Sequence, residues 1–486
     1  NARSFGSQPA PNIFVLPNPR PDTATWNPSA PYLAPVRTLW NAVKAAAAFT
    51  PSPHWDLRTE YTGIEKSGSR PMGMAMGSPG NNLREILEPI DQTMQDLKFT
   101  EAYSNERFQV IGSYDYSAFL NSFASVTSDN PLLTTDQATT GSSRGRTALA
   151  PSNQAHTGVV NAALSLPYRT RLNASGSYGL WIQNQPFIPA TINSAIVADL
   201  SQIPQSLGGH SGTSSLYVSG VSRPITPLTL TARYRTFSFR DRVDVESMPV
   251  LIINDRSVAA AEDRDNLPFT RRNADAAGTW RIETALPLTF SAGYGWETWK
   301  RSEARNVADL REGSPRVSLD LGVFDWMSLR SSYTTGRRRI HGEYVQNTTS
   351  DQPLHRRFDQ ADRDRERTNL LATVTPLDQL TMSGSWTIGH DEYPHSTYGL
   401  QSDRNNMQEG DISWTVTERF SVDGSLTNER FLTRLRSQYR AGTQLNNPTY
   451  DWVANNRDEI RTVTAGFRAV LVPGRLEAGG RLDASR

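Results

Sequence analysis

Seven times along this chain, two runs of alternating apolar and polar residues are joined by only a few residues and then separated by a long polar connection. Residues 279–299 give the clearest copy. Trp280, Ile282, Thr284 and Leu286 point one way, a turn follows at Leu286-Pro287-Leu288, and Phe290, Ala292, Tyr294 and Trp296 return on the same face. Ser291, Gly293, Gly295 and Glu297 take the other face. A period of two is that of a strand with one apolar and one polar side. Short turns at one end and long loops at the other predict an all-β chain, a large antiparallel transmembrane β-barrel with short periplasmic turns and long extracellular loops. Its apolar face would meet lipid, the reverse of a soluble sandwich.

The short turns are expected at Leu166-Pro167-Tyr168, Arg223-Pro224-Ile225, Leu286-Pro287-Leu288, Phe324-Asp325-Trp326, Pro376-Leu377-Asp378, Thr417-Glu418-Arg419 and Val472-Pro473-Gly474. Similar runs follow several of them, such as Leu228-Thr229-Leu230-Thr231 and Leu380-Thr381-Met382-Ser383, so the hairpin is a structural repeat. The long connections read as about 118–155, 184–212, 241–277, 340–367 and 432–459, and carry charge clusters such as Asp362 to Arg367. Earlier strands are expected over 55–64, 94–103 and 107–119, with a loop carrying Pro71, Pro79 and Pro89 between the first two. The count comes to roughly seventeen strands by alternation. Residues 1–54 hold Pro17, Pro19, Pro21, Pro28, Pro31 and Pro35 and read as a Pro/Ala-rich surface loop or lumen segment. A short helix is expected inside it at 36–49, on the alanine run Ala45 to Ala48. Residues 55–486 then form the barrel, incomplete at one or both ends. The odd count, the lack of a signal-peptide pattern at Asn1 and the non-aromatic ending at Arg486 all suggest a portion of a longer protein.

Composition is compatible with this reading. Hydrophobic residues make up 37% of the 486, and mean hydropathy is −0.53. No run approaches the ~20 apolar residues of a spanning helix, whereas alternation dilutes hydropathy in a barrel. The net charge of +1 gives no electrostatic footprint for nucleic acid. Lys44, Lys66, Lys98 and Lys300 are the only lysines, so basic charge is almost all guanidinium, whose planar fork suits carboxylates. The absence of cysteine removes disulfides, thiolate metal sites and covalent haem attachment.

Positions on the polar face are small, hydroxylated or charged, and Arg171, Ser175, Ser177, Thr229, Thr231, Arg233, Ser291, Thr381, Ser383 and Asp423 are expected to face the lumen. Such a wall can hold water or a protein with a polar surface. Tyr178, Trp181, Tyr234, Phe237, Tyr294, Trp296, Trp299, Tyr333 and Trp386 recur toward the loop ends of strands and are expected to form an interfacial girdle. No residue is nominated as catalytic, cofactor-binding or metal-binding. The seven histidines include no H-E-x-x-H pair, and His390-Asp391-Glu392 with His395 reads as a solvated loop top. Asp362/Asp364 and Asp391/Glu392 lack an EF-hand frame for calcium. No serine sits in a G-x-S-x-G elbow, and Gly208-Gly209-His210-Ser211-Gly212 lacks the strand-to-helix context of a phosphate cradle.

The block Gly145-Arg146-Thr147-Ala148-Leu149-Ala150-Pro151-Ser152-Asn153-Gln154-Ala155-His156 is followed by the hairpin through Leu166 to Leu172, by Ser177-Tyr178-Gly179 and by Gln183-Asn184-Gln185-Pro186-Phe187-Ile188-Pro189. With Gly68 to Gly73, Glu88-Pro89-Ile90-Asp91, Arg365-Glu366-Arg367-Thr368, Asp391-Glu392-Tyr393 and Tyr398-Gly399-Leu400, this resembles the MtrB/PioB family of outer-membrane barrels, over about residue 55 to the end. The resemblance implies an integral protein of the Gram-negative bacterial outer membrane, in contact with lipid and lipopolysaccharide. It implies a porin-like, non-enzymatic sheath that houses and insulates a periplasmic multihaem, decahaem-type c cytochrome in its lumen for extracellular electron transfer. An extracellular multihaem cytochrome is a second implied partner. The ten polar-wall residues above would contact the lumen partner, and haem c would be carried by the partner and not by this chain. The main alternative is an ordinary water-filled porin or substrate-specific channel; a third reading is a soluble all-β adhesin.

Overall fold

In a computed structural model, the described residues are 7–15, 36–75, 83–130, 133–243, 247–253, 255–259, 262–263, 267–284, 286–302, 306–345, 352, 354–439 and 447–486. The prolines expected to break up residues 17–35, and Pro79, lie outside them. Eighteen long strands stand among the described residues. They are β1 (Thr38–Ser52), β2 (Trp55–Ala75), β3 (Leu83–Ser104), β4 (Phe108–Asn121), β5 (Asn153–Leu166), β6 (Thr170–Gln183), β7 (Gly209–Ile225), β8 (Leu228–Val243) and β9 (Phe269–Ile282). There follow β10 (Leu288–Arg301), β11 (Asp309–Phe324), β12 (Met327–Ile340), β13 (Arg363–Leu377), β14 (Leu380–Glu392), β15 (Tyr398–Thr417), β16 (Phe420–Gln438), β17 (Asp451–Val472) and β18 (Leu476–Ser485). The main sheet is a closed antiparallel β-barrel. No helix among the described residues is long and apolar enough to cross a membrane. The expected short turns fall within about two residues of the observed ones, except that Arg223-Pro224-Ile225 end strand β7 and the turn follows them at 226–227. At Pro167-Tyr168-Arg169, Tyr168 and Arg169 both have positive φ, 60° and 50°, as a tight hairpin matched to strand twist requires.

Three expectations are corrected. The helix expected at 36–49 is strand β1, in which Ala45 and Ala46 face Tyr61 and Glu60 across a ladder. A four-alanine run has weak intrinsic preference, and a ladder to a neighbouring strand outweighs it. This adds the strand that the count of roughly seventeen lacked, and the barrel starts at Thr38 and not at residue 55. Pro71 and Pro89 lie within strands and not in a loop. β1 pairs β2 only as far as Gly68, and β4 pairs β3 only from Gln92, so each proline sits where its strand has one neighbour and a ladder donor can be spared. The charge cluster expected in the 340–367 connection is mostly strand, because β13 begins at Arg363.

The chain divides into two compact units. In the first (residues 1–162, 175–215 and 239–266), β1 to β4 form an antiparallel meander. Residues 7–15, expected as loop, form a hairpin of Ser7–Ala10 and Ile13–Val15 that joins Ser125–Asp129 and Arg144–Ala148 in a four-stranded sheet. Met74, Ile86 and Val126 are buried with Phe14, Met72 and Leu149 packed around them. Burying each such side chain is worth about 1.5–3 kcal/mol. Three connections are tied by polar side chains. Asp136 accepts from the backbone N–H of Ser143 (2.7 Å) and Ser194 (2.8 Å), Asn193 donates to the carbonyls of Gln137 (2.9 Å) and Asp255 (2.7 Å), and Asp255 accepts from Thr191 (2.6 Å).

In the second unit (163–174, 216–238 and 267–486), β9 to β18 pair in sequence order, every pair antiparallel. The register sorts side chains into two faces. On one, Trp280, Phe290, Leu319, Ser331, Leu370 and Trp386 stand in one cross-strand row. Trp280, Phe290, Leu319, Leu370 and Trp386 remain 40–45% exposed, so protein does not cover this face. A soluble all-β protein would bury such a row, whereas lipid covers it in a membrane barrel.

Candidate functional site: the polar wall

The opposite face of the second unit is a wall of short polar side chains that pair with each other across strands. Thr279 and Ser291 hydroxyls are 2.8 Å apart, Ser383 donates to Asp411 (3.0 Å), Thr387 to Asn369 (2.9 Å), Asn369 to Ser332 (3.3 Å) and Thr464 to Asp483 (2.8 Å). Each of these pairs follows from alternation and register, since residues directly opposite on one face lie within side-chain reach. Of the residues expected to face the lumen, Ser291, Thr381, Ser383 and Asp423 lie on this face. Thr381, Ser413 and Asp423 form one row, and Gly466, next in it, leaves room for the Asp423 carboxylate, whose oxygens would stand 2.7 Å from a Cβ there. Thr231 reaches the Ala277 carbonyl at 3.4 Å on the same side, and Thr229 and Arg233 share its phase on β8. In the first unit, Ser177 pairs with Ser215 at 2.7 Å and Ser175 shares its phase. Arg171, which belongs to the second unit, takes the same phase on β6. Within the second unit, Ser291, Thr381, Ser383 and Asp423 are spread over β10, β14 and β16.

A denser feature escaped the sequence reading. Strand alternation turns Arg363, Arg365 and Arg367 of β13 onto the polar face and Asp364 and Glu366 onto the other. Asp391 of β14, expected as a solvated loop residue, is buried, with its side chain 4% exposed. It accepts two bonds from Arg365 (3.0 and 2.7 Å), with Arg367 at 3.4 Å and Arg363 at 3.7 Å. Arg363 also places one nitrogen 2.9 and 2.8 Å from the two Glu312 oxygens. Arg316 pairs with Asp275, and Arg271 with Glu297 at 2.8 Å. Gly389 lies between Arg367 and Asn405 in the register, and a Cβ there would fall 1.6 Å from the Arg367 guanidinium. The missing side chain lets Arg367 cross a strand to donate to Asn405. The sequence signal was present as the run of alternating Arg and acid from 362 to 367. Read with period two, it separates the signs onto opposite faces.

The other metal candidates are likewise engaged. His390 and Glu392 lie on the face opposite Asp391, 3.3 Å apart, while His395 pairs with Asp362. Asp364 pairs with Arg339 at 2.6 Å. Beyond β14, burial foremost and then the Asp391 carboxylate push the Tyr393 phenol up.

The aromatic girdle is corrected at three positions. Tyr178, Tyr234, Tyr294, Trp296, Tyr333 and Trp386 share the apolar phase of their strands, but Trp181, Phe237 and Trp299 alternate onto the polar one. Trp299 donates to Glu297 at 2.5 Å, and Arg271 and Arg301 sit 5.0 and 4.7 Å from its ring centroid. Phe237, Phe269 and Trp299 follow one another at centroid spacings of 5.7 Å. Position near a strand end suggested the girdle, but the phase decides it.

The connection between β12 and β13 bends onto this wall. Arg338 donates to the carbonyls of Ala361 (2.9 Å) and Phe358. Gln360, 1% exposed, accepts from the backbone N–H of Val307 at 3.1 Å, and Asp362 accepts from that of Ile340 at 2.7 Å.

Comparison with known proteins gives this architecture its place. The family model described as "Putative outer membrane beta-barrel porin, MtrB/PioB" matches residues 37–486. Outer membrane protein MtrB of Shewanella baltica (strain OS185) is 23% identical over 431 residues, which are 85% of this chain and 56% of that protein. The chain thus spans little more than half the length of that relative. Among solved structures, the FrpB iron transporter of Neisseria meningitidis (F3-3 variant) is 10% identical with a TM-score of 0.47, covering 91% of this chain and 67% of that one. The ferripyoverdine receptor of the outer membrane of Pseudomonas aeruginosa is 11% identical with a TM-score of 0.42, covering 92% and 66%. The closed antiparallel barrel, the lipid-facing apolar rows and a family match over nearly the whole chain make this protein a member of the MtrB/PioB family of outer-membrane β-barrel porins.

Proposed function

We propose that the barrel is a sheath that houses and insulates a multihaem c-type cytochrome, so that electrons cross the outer membrane within its lumen. One observation carries this reading: short polar side chains of the second unit's polar wall pair with each other across strands, from Thr279–Ser291 to Thr464–Asp483. Such a wall is a low, hydrogen-bonding surface suited to broad contact with a folded polar protein. Arg171, Ser175, Ser177, Thr229, Thr231, Arg233, Ser291, Thr381, Ser383 and Asp423 are the proposed partner contacts, each of small individual weight because broad polar contact spreads the energy. An extracellular multihaem cytochrome is proposed to meet the loop end. The haem belongs to the partners, and this chain contributes placement and insulation and no catalysis of its own.

The test is reconstitution. The native complex purified from membranes should be red, with a c-type haem spectrum and a co-purifying haem-stained band. In liposomes it should reduce or oxidise a trapped dye while passing few ions, and the barrel alone should conduct ions. A natively purified barrel that is colourless and conducts small solutes freely is a water-filled porin, and the sheath reading falls.

A further inference from the structure

The lipid-facing side of β15, β16 and β17 is apolar up to a definite height and then turns basic. Trp414, Ile412, Leu426, Val463 and Phe467 lie on it, 41–57% exposed. Farther from the short turns, the same phase carries Arg404, Arg430, Arg434, Arg436, Arg457 and Arg461. Along a strand tilted about 40° each residue climbs ~2.5 Å, so an apolar band ~25 Å tall takes about ten residues. Arg430 lies ten residues beyond Phe420, where β16 leaves its short turn, and Arg404, Arg434 and Arg457 lie farther from theirs. The charges therefore begin where the hydrocarbon ends, at the headgroup level of the outer leaflet. Two carboxylates share this face of the three strands among the described residues. Glu459 takes both Arg430 (2.6 Å) and Arg457 (2.5 Å), and Asp451 takes Arg436 (2.8 Å). Arg404 donates to the His390 ring at 3.3 Å, and Arg434 and Arg461 pair with no acid among the described residues. On β13 and β14 the same face adds Asp364, which Arg339 holds, and Glu366 and Glu392. With those last two counted, six guanidiniums still meet only four carboxylates. The connections 393–397 and 439–450, which join these strands at that end, contain no acidic residue. Leu432, 39% exposed, stands between Arg404 and Arg457 in one cross-strand row, so the patch sets its cations around an apolar step.

We propose that this patch holds the phosphate groups of a glycolipid of the outer leaflet, of the lipopolysaccharide type. Phosphates are the anions found at that depth, planar guanidinium forks bind them with paired hydrogen bonds, and the attached acyl chains would run down past Leu432, Leu426 and Val463. The inference rests on the barrel and its orientation and not on what fills the lumen. The full chain in detergent micelles is titrated with diphosphoryl lipid A, and with the same lipid stripped of phosphate, and bound lipid is counted by native mass spectrometry. Saturable binding of the diphosphoryl lipid is expected, with the phosphate-free lipid at least tenfold weaker. The double variant Arg404→Gln/Arg434→Gln, which breaks no ion pair among the described residues, should weaken binding about tenfold. Lysine at both positions should weaken it less, because the charge remains while the fork is lost. Glu459→Gln should tighten it two- to threefold by freeing two guanidiniums. Arg475→Gln, an equal loss of charge in the short turn between β17 and β18, should leave it unchanged. Heat-modifiable gel migration shows that each variant is folded. The proposal is overturned if the phosphate-free lipid binds as tightly, if the double variant or Glu459→Gln leaves the affinity unchanged, or if Arg475→Gln weakens it as much as the double variant. It is also overturned if the arginines retain a second copy of the barrel in place of lipid.

Discussion

Replacing Asp391 by alanine should destabilise the barrel more than any comparable change on its polar wall. The carboxylate side chain is 4% exposed and has three guanidiniums within 3.7 Å. Removing one member of a buried pair costs about 3–5 kcal/mol, mostly because the partner's charge is left uncompensated. Arg365 and Arg367 keep 31% and 29% of their side-chain exposure, so water recovers part of that loss. Asp403, directly across the ladder from Asp391, can take over one guanidinium. The expected net cost is therefore about 2–3 kcal/mol for Asp391→Ala, and roughly half that for Asp391→Asn, whose amide oxygen still accepts. Urea titration of the folded barrel in lipid vesicles would measure it, following Trp fluorescence and heat-modifiable gel migration together. Salt discriminates the cause: at 1 M sodium chloride an exposed cluster loses its contribution, whereas a partly buried one keeps most of it. If both variants unfold within ~0.5 kcal/mol of the parent, as ordinary surface substitutions do, the cluster is solvated and the argument from burial is wrong.

Arginine placed at Ala292, Leu230 or Met382 on the apolar face should cost about 2–4 kcal/mol near the bilayer midplane, and spin labels there should report lipid; water at those sites with lipid at Ser291, Thr231 and Ser383 would mean an inverted register. The Asp136 knot should be pH-dependent. Burial works to raise its pKa, but hydrogen bonds from Ser143 and Ser194 outweigh it and hold the carboxyl well below the usual carboxylate range. A depressed folded pKa stabilises above the unfolded value of about 3.9 and stops doing so as pH falls through the folded one. Asp136→Asn should thus speed proteolysis of residues 133–145 and 190–200 about fivefold at pH 7, for ~1 kcal/mol, and the difference should shrink below about pH 4; a difference that grows on acidification would reverse the assignment.

The later hairpins were legible in the sequence because alternation and turn chemistry agree there: Trp280 and Ile282 share a face with Phe290, Ala292, Tyr294 and Trp296 as expected, and Phe324-Asp325-Trp326 turns where it should. The misread alanine run and prolines share one cause. A local signal was given weight that belongs to the neighbouring strand. The alanine run at 45–48 reads as helix until β2 lies beside it, and Pro71 and Pro89 read as loop until it is clear that each has an unpartnered side. The charges at 363–367 read as a solvated loop because hydropathy counts arginines without regard to phase. The polar positions Ser291, Thr381, Ser383 and Asp423 were placed on their face by phase alone. The pairing of Asp391 with three arginines needed the register, which no single strand contains.

That pairing also bears on how such a sheet assembles. A slip of one residue between β13 and β14 exchanges the two faces and is rejected by the lipid at once. A slip of two residues keeps every apolar side chain toward lipid, so hydrophobicity cannot detect it. The ionic pattern can. Shifted one way, Arg365 would meet Tyr393 in place of Asp391, and shifted the other way it would meet Gly389. In either case the gap at Gly389 no longer lies beneath the Arg367 guanidinium, and Arg367 loses its route to Asn405. The charged rungs act as a proofreading code for even-numbered errors, to which the alternation that defines the barrel is blind.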